Sequence, residues 1–143
     1  MKRDQFNTSV RQKDGGPPII DISYEGPANT LDERLTRGDD QLTASDLDAA
    51  FRLRETADDT TSGVFGLTHR LTGAYLLEAN ADAEAMAGLV SAAREADDDA
   101  SYRVRIRPTD ENPIDYEMSA LLVYNSDGEL LRKRSLIPSG VEL

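Results

Sequence analysis

Hydrophobic and polar residues alternate along much of this chain of 143 residues, and the alternation has the period of two that is typical of β-strands. In such a segment one side faces a core and the other faces water. The clearest example is Tyr102–Arg107, where tyrosine, valine and isoleucine alternate with three arginines. Together with shorter apolar runs, the pattern predicts eight strands, near residues 6–10, 19–24, 47–53, 64–70, 74–79, 102–107, 114–124 and 129–135.

Two short glycine-containing segments predict tight turns between neighbouring strands. Leu71–Gly73 separates two apolar segments, and Asn125–Gly128 has the composition of a hairpin turn. Hairpins join antiparallel strands, so we expect mainly antiparallel sheets.

Helical periodicity occurs in one clear place. Met86, Leu89, Val90 and Ala93 recur at helical spacing and predict an amphipathic helix near 82–96. A second, short helix is predicted near 31–36, because Thr30 and Glu33 have the spacing of a capping box.

These elements predict an α+β fold, mainly antiparallel β, with about eight strands arranged as a sandwich or an open barrel. The length favours a single domain over residues 1–143. The apolar C-terminal tail, residues 136–143, is expected to dock on the body of that domain.

Charge is the strongest feature of the composition. Asp and Glu number 27 against 16 Lys and Arg, for a net charge of −11, with 17 Asp to 10 Glu and 13 Arg to 3 Lys. Such a surface repels itself in dilute solution, but the Debye length falls to about 3 Å in molar salt, where the repulsion is screened. The bias therefore favours a salt-adapted protein surrounded by high-salt solvent ions over an ordinary acidic one.

The sequence favours a cytoplasmic protein without disulfides. It contains no cysteine, its first residues lack an apolar signal core, and its apolar runs are too short to span a bilayer. No membrane association is expected.

No residue pattern predicts a catalytic, metal or cofactor site. His69 is the one histidine, and we interpret it as a partly buried, hydrogen-bonding side chain because no nucleophile pattern accompanies it. The acidic runs, such as Asp97–Asp99, lack the oxygen spacing of a calcium loop. No glycine-rich segment has the spacing of a phosphate-binding loop.

An arginine row is the sharpest local signal. Arg103, Arg105 and Arg107 are predicted to project from one face of a strand about 7 Å apart, a spacing that suits an anion or a partner's carboxylates. The alternative, which we favour, is cross-strand pairing with the chain's own Asp115 or Glu117.

Arg132 and Arg134 form a second candidate pair on the predicted last strand, where they would share one face. Residues 100–143 carry a net charge of only −1 against −10 for the rest, so an anionic ligand or partner is expected to dock here. Nucleic-acid binding is disfavoured, because charge-driven affinity for phosphates falls steeply with salt.

Three segments, Met1–Phe6, Thr68–Glu78 and Leu130–Leu143, resemble a family of small acidic haloarchaeal proteins catalogued as a domain of unknown function. The resemblance implies a cytoplasmic, high-salt setting and assigns no catalytic residues. The leading hypothesis is a salt-adapted, non-catalytic domain that binds a protein partner or itself. The alternatives are an enzyme that uses carboxylates such as Asp115 or Glu117 beside Arg105, and a nucleic-acid accessory protein.

Overall fold

The computed structural model describes residues 6–11, 17–26, 31, 33, 35–37, 40–53, 62–96, 101–108 and 112–137. Ten strands and one long helix lie in these ranges: β1 (Phe6–Arg11), β2 (Ile19–Tyr24), β3 (Thr36–Arg37), β4 (Asp40–Gln41), β5 (Leu47–Leu53), β6 (Ser62–His69), β7 (Tyr75–Asp82), α1 (Ala83–Ala96), β8 (Tyr102–Pro108), β9 (Ile114–Met118) and β10 (Leu122–Tyr124). Two 3-10 turns, Ala44–Asp46 and Arg132–Arg134, complete the set.

The longer strands form two four-stranded sheets. Sheet I has the order β1-β2-β8-β9, and sheet II has the order β10-β5-β6-β7; β3 and β4 form a separate two-residue pair. Most neighbours are antiparallel, but β2 with β8 and β10 with β5 are parallel, so both sheets are mixed. The predicted α+β class, mostly strands with one amphipathic helix, is confirmed, and the sheets are not closed into a barrel.

One hydrophobic core is shared by the two sheets and the helix. Burial alternates along β5 and β8 with the predicted period, so that Phe51 and Val104 face inward while Arg52 and Arg103 face outward. Helix α1 contacts β1 and β7 and buries the predicted stripe that includes Leu89. Arg94 fixes its last turn by donating to the Ser135 carbonyl at 2.6 Å. No helix among these residues is long and apolar enough to cross a membrane.

The predicted single strand over 114–124 is wrong, because the chain leaves sheet I at Met118 and enters sheet II at Leu122. Burial falls on even-numbered residues up to Met118 and on odd-numbered residues from Leu121 onward. Successive side chains of a continuous strand point to opposite faces, so one strand cannot bury its even-numbered and then its odd-numbered residues on the same face. The Tyr102 hydroxyl donates to the Ala120 carbonyl at 2.6 Å inside this crossover.

The predicted strand over 129–135 is also wrong. Leu130 bridges Tyr124 and Leu136 bridges Leu121, so this segment has three residues more than the one it faces. The extra residues coil into the 3-10 turn Arg132–Arg134. The Ser135 hydroxyl then accepts a hydrogen bond from the Val123 amide at 2.8 Å, which replaces the missing ladder bond.

The short helix predicted near 31–36 is present in part. Leu31 and Glu33 are helical, and the Leu35 amide donates to the Leu31 carbonyl at 3.1 Å, but Thr36 already belongs to β3. Its predicted capping residue, residue 30, lies outside the described residues. So does the tail after residue 137, although Leu136 at its start is buried.

Both predicted turns are present, and each has a glycine in the left-handed region. Gly73 has φ 72° and Gly128 has φ 84°, values that side-chain-bearing residues rarely adopt. The Asn125 side chain accepts hydrogen bonds from the Asp127 and Glu129 amides and fixes the second turn.

Candidate functional site

The arginine row lies on the outer face of sheet I, as predicted. Arg103, Arg105 and Arg107 alternate along β8 with buried residues that face the core. The neighbouring strands are β2, parallel to β8, and β9, antiparallel to it. The row is therefore flanked on both sides by side chains of the same sheet face.

The middle arginine is paired as the cross-strand reading predicted. Arg105 donates to both carboxylate oxygens of Asp115, from Nε at 2.8 Å and from Nη2 at 3.1 Å. These hydrogen bonds lower the pKa of Asp115, against the smaller opposing effect of burial. A carboxylate with a lowered pKa stays ionised and forms an ion pair with Arg105, so it is poorly suited to donate a proton.

Arg107 pairs with an acid that sequence reasoning missed. Its Nε lies 2.9 Å from both carboxylate oxygens of Asp21, and Arg11 Nη2 lies 3.3 Å from the same group. Asp21 is 3% exposed and is the one buried carboxylate among the described residues. Nothing in the local pattern of β2 pointed to it, because the partnership depends on β2 lying beside β8.

Arg103 differs from its two neighbours. It faces Glu117 in the register of β8 and β9, yet its guanidinium makes no hydrogen bond or ion pair with the residues that the structure describes. Among the residues that the structure describes, Arg105 and Arg107 are therefore paired and Arg103 forms no ion pair.

Arg132 and Arg134 do not join the row. They lie on the 3-10 turn that contacts β10 of sheet II, whereas the row belongs to β8 of sheet I. Neither is on a strand, so the expected strand face that would align them is absent from this segment.

His69 has the structural position that the sequence predicted. It is 6% exposed, and its Nδ1 accepts hydrogen bonds from the Leu71 amide at 3.2 Å and the Thr72 amide at 3.4 Å. The imidazole thus supports the β6–β7 turn. Within the described ranges no three metal-ligating side chains cluster.

The outer face of sheet II is the feature that the sequence did not reveal. We call it the sheet II face and define it by eight outward positions: Leu122 and Tyr124 on β10, Ala50 and Arg52 on β5, Val64 and Gly66 on β6, and Tyr75 and Glu78 on β7. Its two central strands carry mostly small residues, whereas the outer strands carry tyrosines and other long side chains. The result is a low floor between two higher walls.

A β-bulge in β7 brings one wall into place. The register shifts between Leu67 and Thr68, so that Leu76 and Leu77 are both buried. Tyr75 is consequently turned outward and is 62% exposed, one of two large hydrophobic residues so exposed among those described. Bulges of this kind re-aim a side chain without ending the strand.

Gly66 forms the middle of the floor, and the fold does not require glycine there. A Cβ at this position would meet only the Leu77 carbonyl at 3.8 Å and the Glu78 side chain at 4.0 Å, which are ordinary contacts. Gly63 differs, because a Cβ there would clash with Phe51 and the Arg52 backbone. Glycine inside a strand weakens it and often marks a close approach by another molecule.

Two clefts open onto this face. One of about 420 Å³ lies over Ala50, Val64 and Gly66 between Tyr75 and Tyr124. The other, of about 720 Å³, extends from Ala50 and Tyr124 to the β9–β10 crossover. Both volumes lie within the range of binding clefts in proteins.

The charges around the two clefts nearly balance. They comprise two arginines against three carboxylates, a net charge of −1 on a chain of −11, from Arg52, Arg70, Asp48, Glu78 and Glu117. Arg70 and Asp48 are already paired at 3.1 Å. Another acidic protein would meet less repulsion here than the net charge of the whole chain implies.

The fold and this face define a small two-sheet α+β domain with an open, nearly neutral sheet surface. The chain belongs to a family of unknown function, DUF5793, whose family model matches residues 1–143. No curated protein and no solved structure matches it.

Proposed function

We propose that this protein is a salt-adapted binding domain that recognises a protein partner through the sheet II face. The observation that carries the proposal is Gly66, a strand glycine that the fold does not need and that keeps the floor of the smaller cleft open. The partner's expected contribution is an apolar side chain seated on this floor, with balanced charges around it.

The walls of the face support a protein ligand in particular. Tyr75 and Tyr124 flank the floor, and tyrosine is enriched where proteins bind one another because it buries a large ring and keeps its hydroxyl near water. Arg52 and Glu78 line the same cleft and provide one positive and one negative charge at its border. Such a border favours a partner with its own mixture of charges over a nucleic-acid backbone.

The composition supports a high-salt setting, and with it a haloarchaeal, cytoplasmic origin. A net charge of −11, the excess of Asp over Glu and the excess of Arg over Lys all favour a surface that stays hydrated when ions are abundant. In such a solvent a binding face cannot depend on long-range attraction, because screening acts within about 3 Å at 1 M salt. A face built from shape and apolar contact suits these conditions.

The test is affinity capture from an extract of the native host in molar KCl, with three forms of the chain as bait. Wild type is compared with Gly66→Leu, which fills the floor, and with Gly88→Leu, which adds the same side chain on the exposed face of helix α1, where a Cβ meets nothing. We expect wild type and Gly88→Leu to retain one protein that Gly66→Leu loses. Purified and titrated against each form, that protein is expected to bind Gly66→Leu at least about tenfold more weakly.

The fold of each bait is checked by its urea unfolding curve. As a second readout that needs no variant, the bound partner is expected to protect Tyr75 and Tyr124 from iodination. Equal binding by Gly66→Leu and wild type, or unprotected tyrosines in the complex, would overturn the proposal. So would the absence of any protein whose capture depends on residue 66.

A second candidate function, the docking of an anion on the arginine row, is favoured by Arg103 alone. Its guanidinium makes no hydrogen bond or ion pair with the described residues, and Arg105 and Arg107 lie on the same face. If this row binds anions, sulfate raises Tm more than chloride at equal ionic strength, and Arg103→Ala reduces that difference to the part that comes from the general exclusion of sulfate from protein surfaces. Equal Tm values in the two salts would reject it.

A further inference from the structure

We propose that the partner of the sheet II face is a second copy of this chain, so that the protein forms a two-fold symmetric dimer by stacking sheet II on sheet II. This inference rests on the proposed function, since it names the occupant of the same face. Its basis is that the face is complementary to itself in shape and in charge.

The strand register gives the positions on the face. Alternate residues on a strand are about 6.7 Å apart and neighbouring strands are about 4.8 Å apart. Ala50, Gly66 and Glu78 lie in one row across β5, β6 and β7, and Arg52 and Val64 lie in the next row. Arg52 and Glu78 thus occupy opposite corners around the floor.

A two-fold axis that lies in the plane of the face and crosses the floor between Gly66 and Val64 exchanges these corners. It places Arg52 of each copy opposite Glu78 of the other, so that two ion pairs form at once. The same axis places Tyr75 of each copy opposite Leu122 and Tyr124 of the other, because β7 and β10 are the two edges of the sheet. An isologous contact of this kind uses one surface twice.

The small floor residues allow the two sheets to approach. With Ala50 and Gly66 of one copy close to the axis, floor faces floor, and Tyr75 of each copy packs beside the floor against Leu122 and Tyr124 of the other. The near balance of charge on this face matters here, because two copies that each carry −11 would repel one another if they met at a strongly acidic surface. Of the two outer sheet faces, this one combines an open floor with an exposed aromatic wall.

Sedimentation equilibrium of the purified chain tests the proposal directly. In about 0.5 M KCl, where long-range repulsion is screened but contact pairs still act, we expect a concentration-dependent monomer–dimer equilibrium. The face is modest in size, so a dissociation constant nearer micromolar than nanomolar is expected. A monomer at every concentration up to about 1 mM would overturn the dimer.

Charge reversal then tests which face is used. Arg52→Glu places two like-charged pairs in the dimer, and so does Glu78→Arg; each is expected to weaken association at least about tenfold. In an equimolar mixture of the two variants, one copy of each can form a mixed dimer in which both contacts again join a positive and a negative side chain. We expect that mixed dimer to form. Glu84→Arg makes the same charge change as Glu78→Arg at an exposed position of helix α1 and is expected to leave the dimer intact.

The outcomes separate this inference from the proposed function. If the wild type is monomeric and captures a different protein that Gly66→Leu does not capture, the dimer is overturned but the binding face is supported. A dimer that Arg52→Glu, Glu78→Arg and Gly66→Leu all leave unchanged forms through another surface and overturns the inference. Two results together support both: capture of the chain itself that Gly66→Leu loses, and a dimer that Arg52→Glu and Glu78→Arg each weaken and that their equimolar mixture restores.

Discussion

At the scale of single residues, burial decides what each ion pair on sheet I contributes. Arg105 and Asp115 form the better hydrogen-bond geometry, yet the Asp115 side chain is 39% exposed. Asp21 is 3% exposed and is shared by Arg107 and Arg11. Exposed ion pairs contribute little to stability because water and salt ions compete for both partners. A buried carboxylate has no water to replace its arginines, so it depends on them.

We therefore predict that Asp21→Asn lowers the free energy of unfolding more than Asp115→Asn does. Asn keeps the volume of Asp21 but removes its charge, for an expected loss of about 1–3 kcal/mol. Arg107 and Arg11 are partly exposed and regain water, which holds the loss below that of a fully buried pair. For Asp115→Asn the expected loss is below about 1 kcal/mol.

Urea unfolding at two KCl concentrations measures both losses. The Asp115 loss is expected to shrink at the higher concentration, because its pair is exposed to ions, while the Asp21 loss persists. Equal losses for the two variants would mean that burial does not set the strength of these pairs.

At the scale of elements, sequence periodicity located most strands but could not assign them to sheets. The alternation in 102–107 and 47–53 predicted β8 and β5 closely, because each has one buried and one wet face. Residues 114–124 were predicted as one strand because apolar residues recur along the whole segment and no Gly or Pro interrupts it. The break is defined by the structure, where β9 and β10 belong to different sheets and the Tyr102 hydroxyl bonds to the crossover between them.

The candidate site was predictable only where it depended on neighbours in sequence. The pairing of Arg105 with Asp115 follows from a hairpin-like register and was anticipated. Asp21 and the sheet II face were not, since they depend on the parallel pairings β2–β8 and β10–β5 and on a bulge in β7. Gly66 inside a strand is a sequence signal that could have pointed to the face, but its meaning depends on which sheet the strand joins.

The crossover between the sheets yields a prediction of its own. The Tyr102 hydroxyl is fully buried and donates to the Ala120 carbonyl, and the surrounding desolvation raises the pKa of Tyr102. Tyr102→Phe leaves that carbonyl without its donor, so we expect a loss of about 1–2 kcal/mol in the free energy of unfolding. Tyr75→Phe removes a hydroxyl from a ring that is 62% exposed and is expected to change stability by less than about 0.5 kcal/mol. Similar losses in the two variants would show that the Tyr102 bond does not secure the crossover.

At the scale of the whole molecule, two electrostatic effects oppose each other as salt is added. Screening weakens the ion pairs of sheet I, of which the exposed ones contribute at most about 1 kcal/mol each. It also removes the mutual repulsion of 27 carboxylates that only 16 basic side chains offset. The second effect involves many more charges, so added salt is expected to stabilise the fold.

Thermal unfolding measures the balance. From about 0.1 M to about 2 M KCl we expect Tm to rise by an amount on the order of 10 °C, which for a chain of this size corresponds to about 3 kcal/mol. Sucrose controls for exclusion of a solute from the protein surface, because it stabilises compact states without screening charge. If screening is the cause, KCl raises Tm most steeply at low concentration, where the Debye length changes fastest, whereas sucrose raises it linearly. A Tm that is the same at both salt concentrations would mean that the carboxylate surplus does not limit the folded state, and the case for a salt-adapted protein would lose its physical basis.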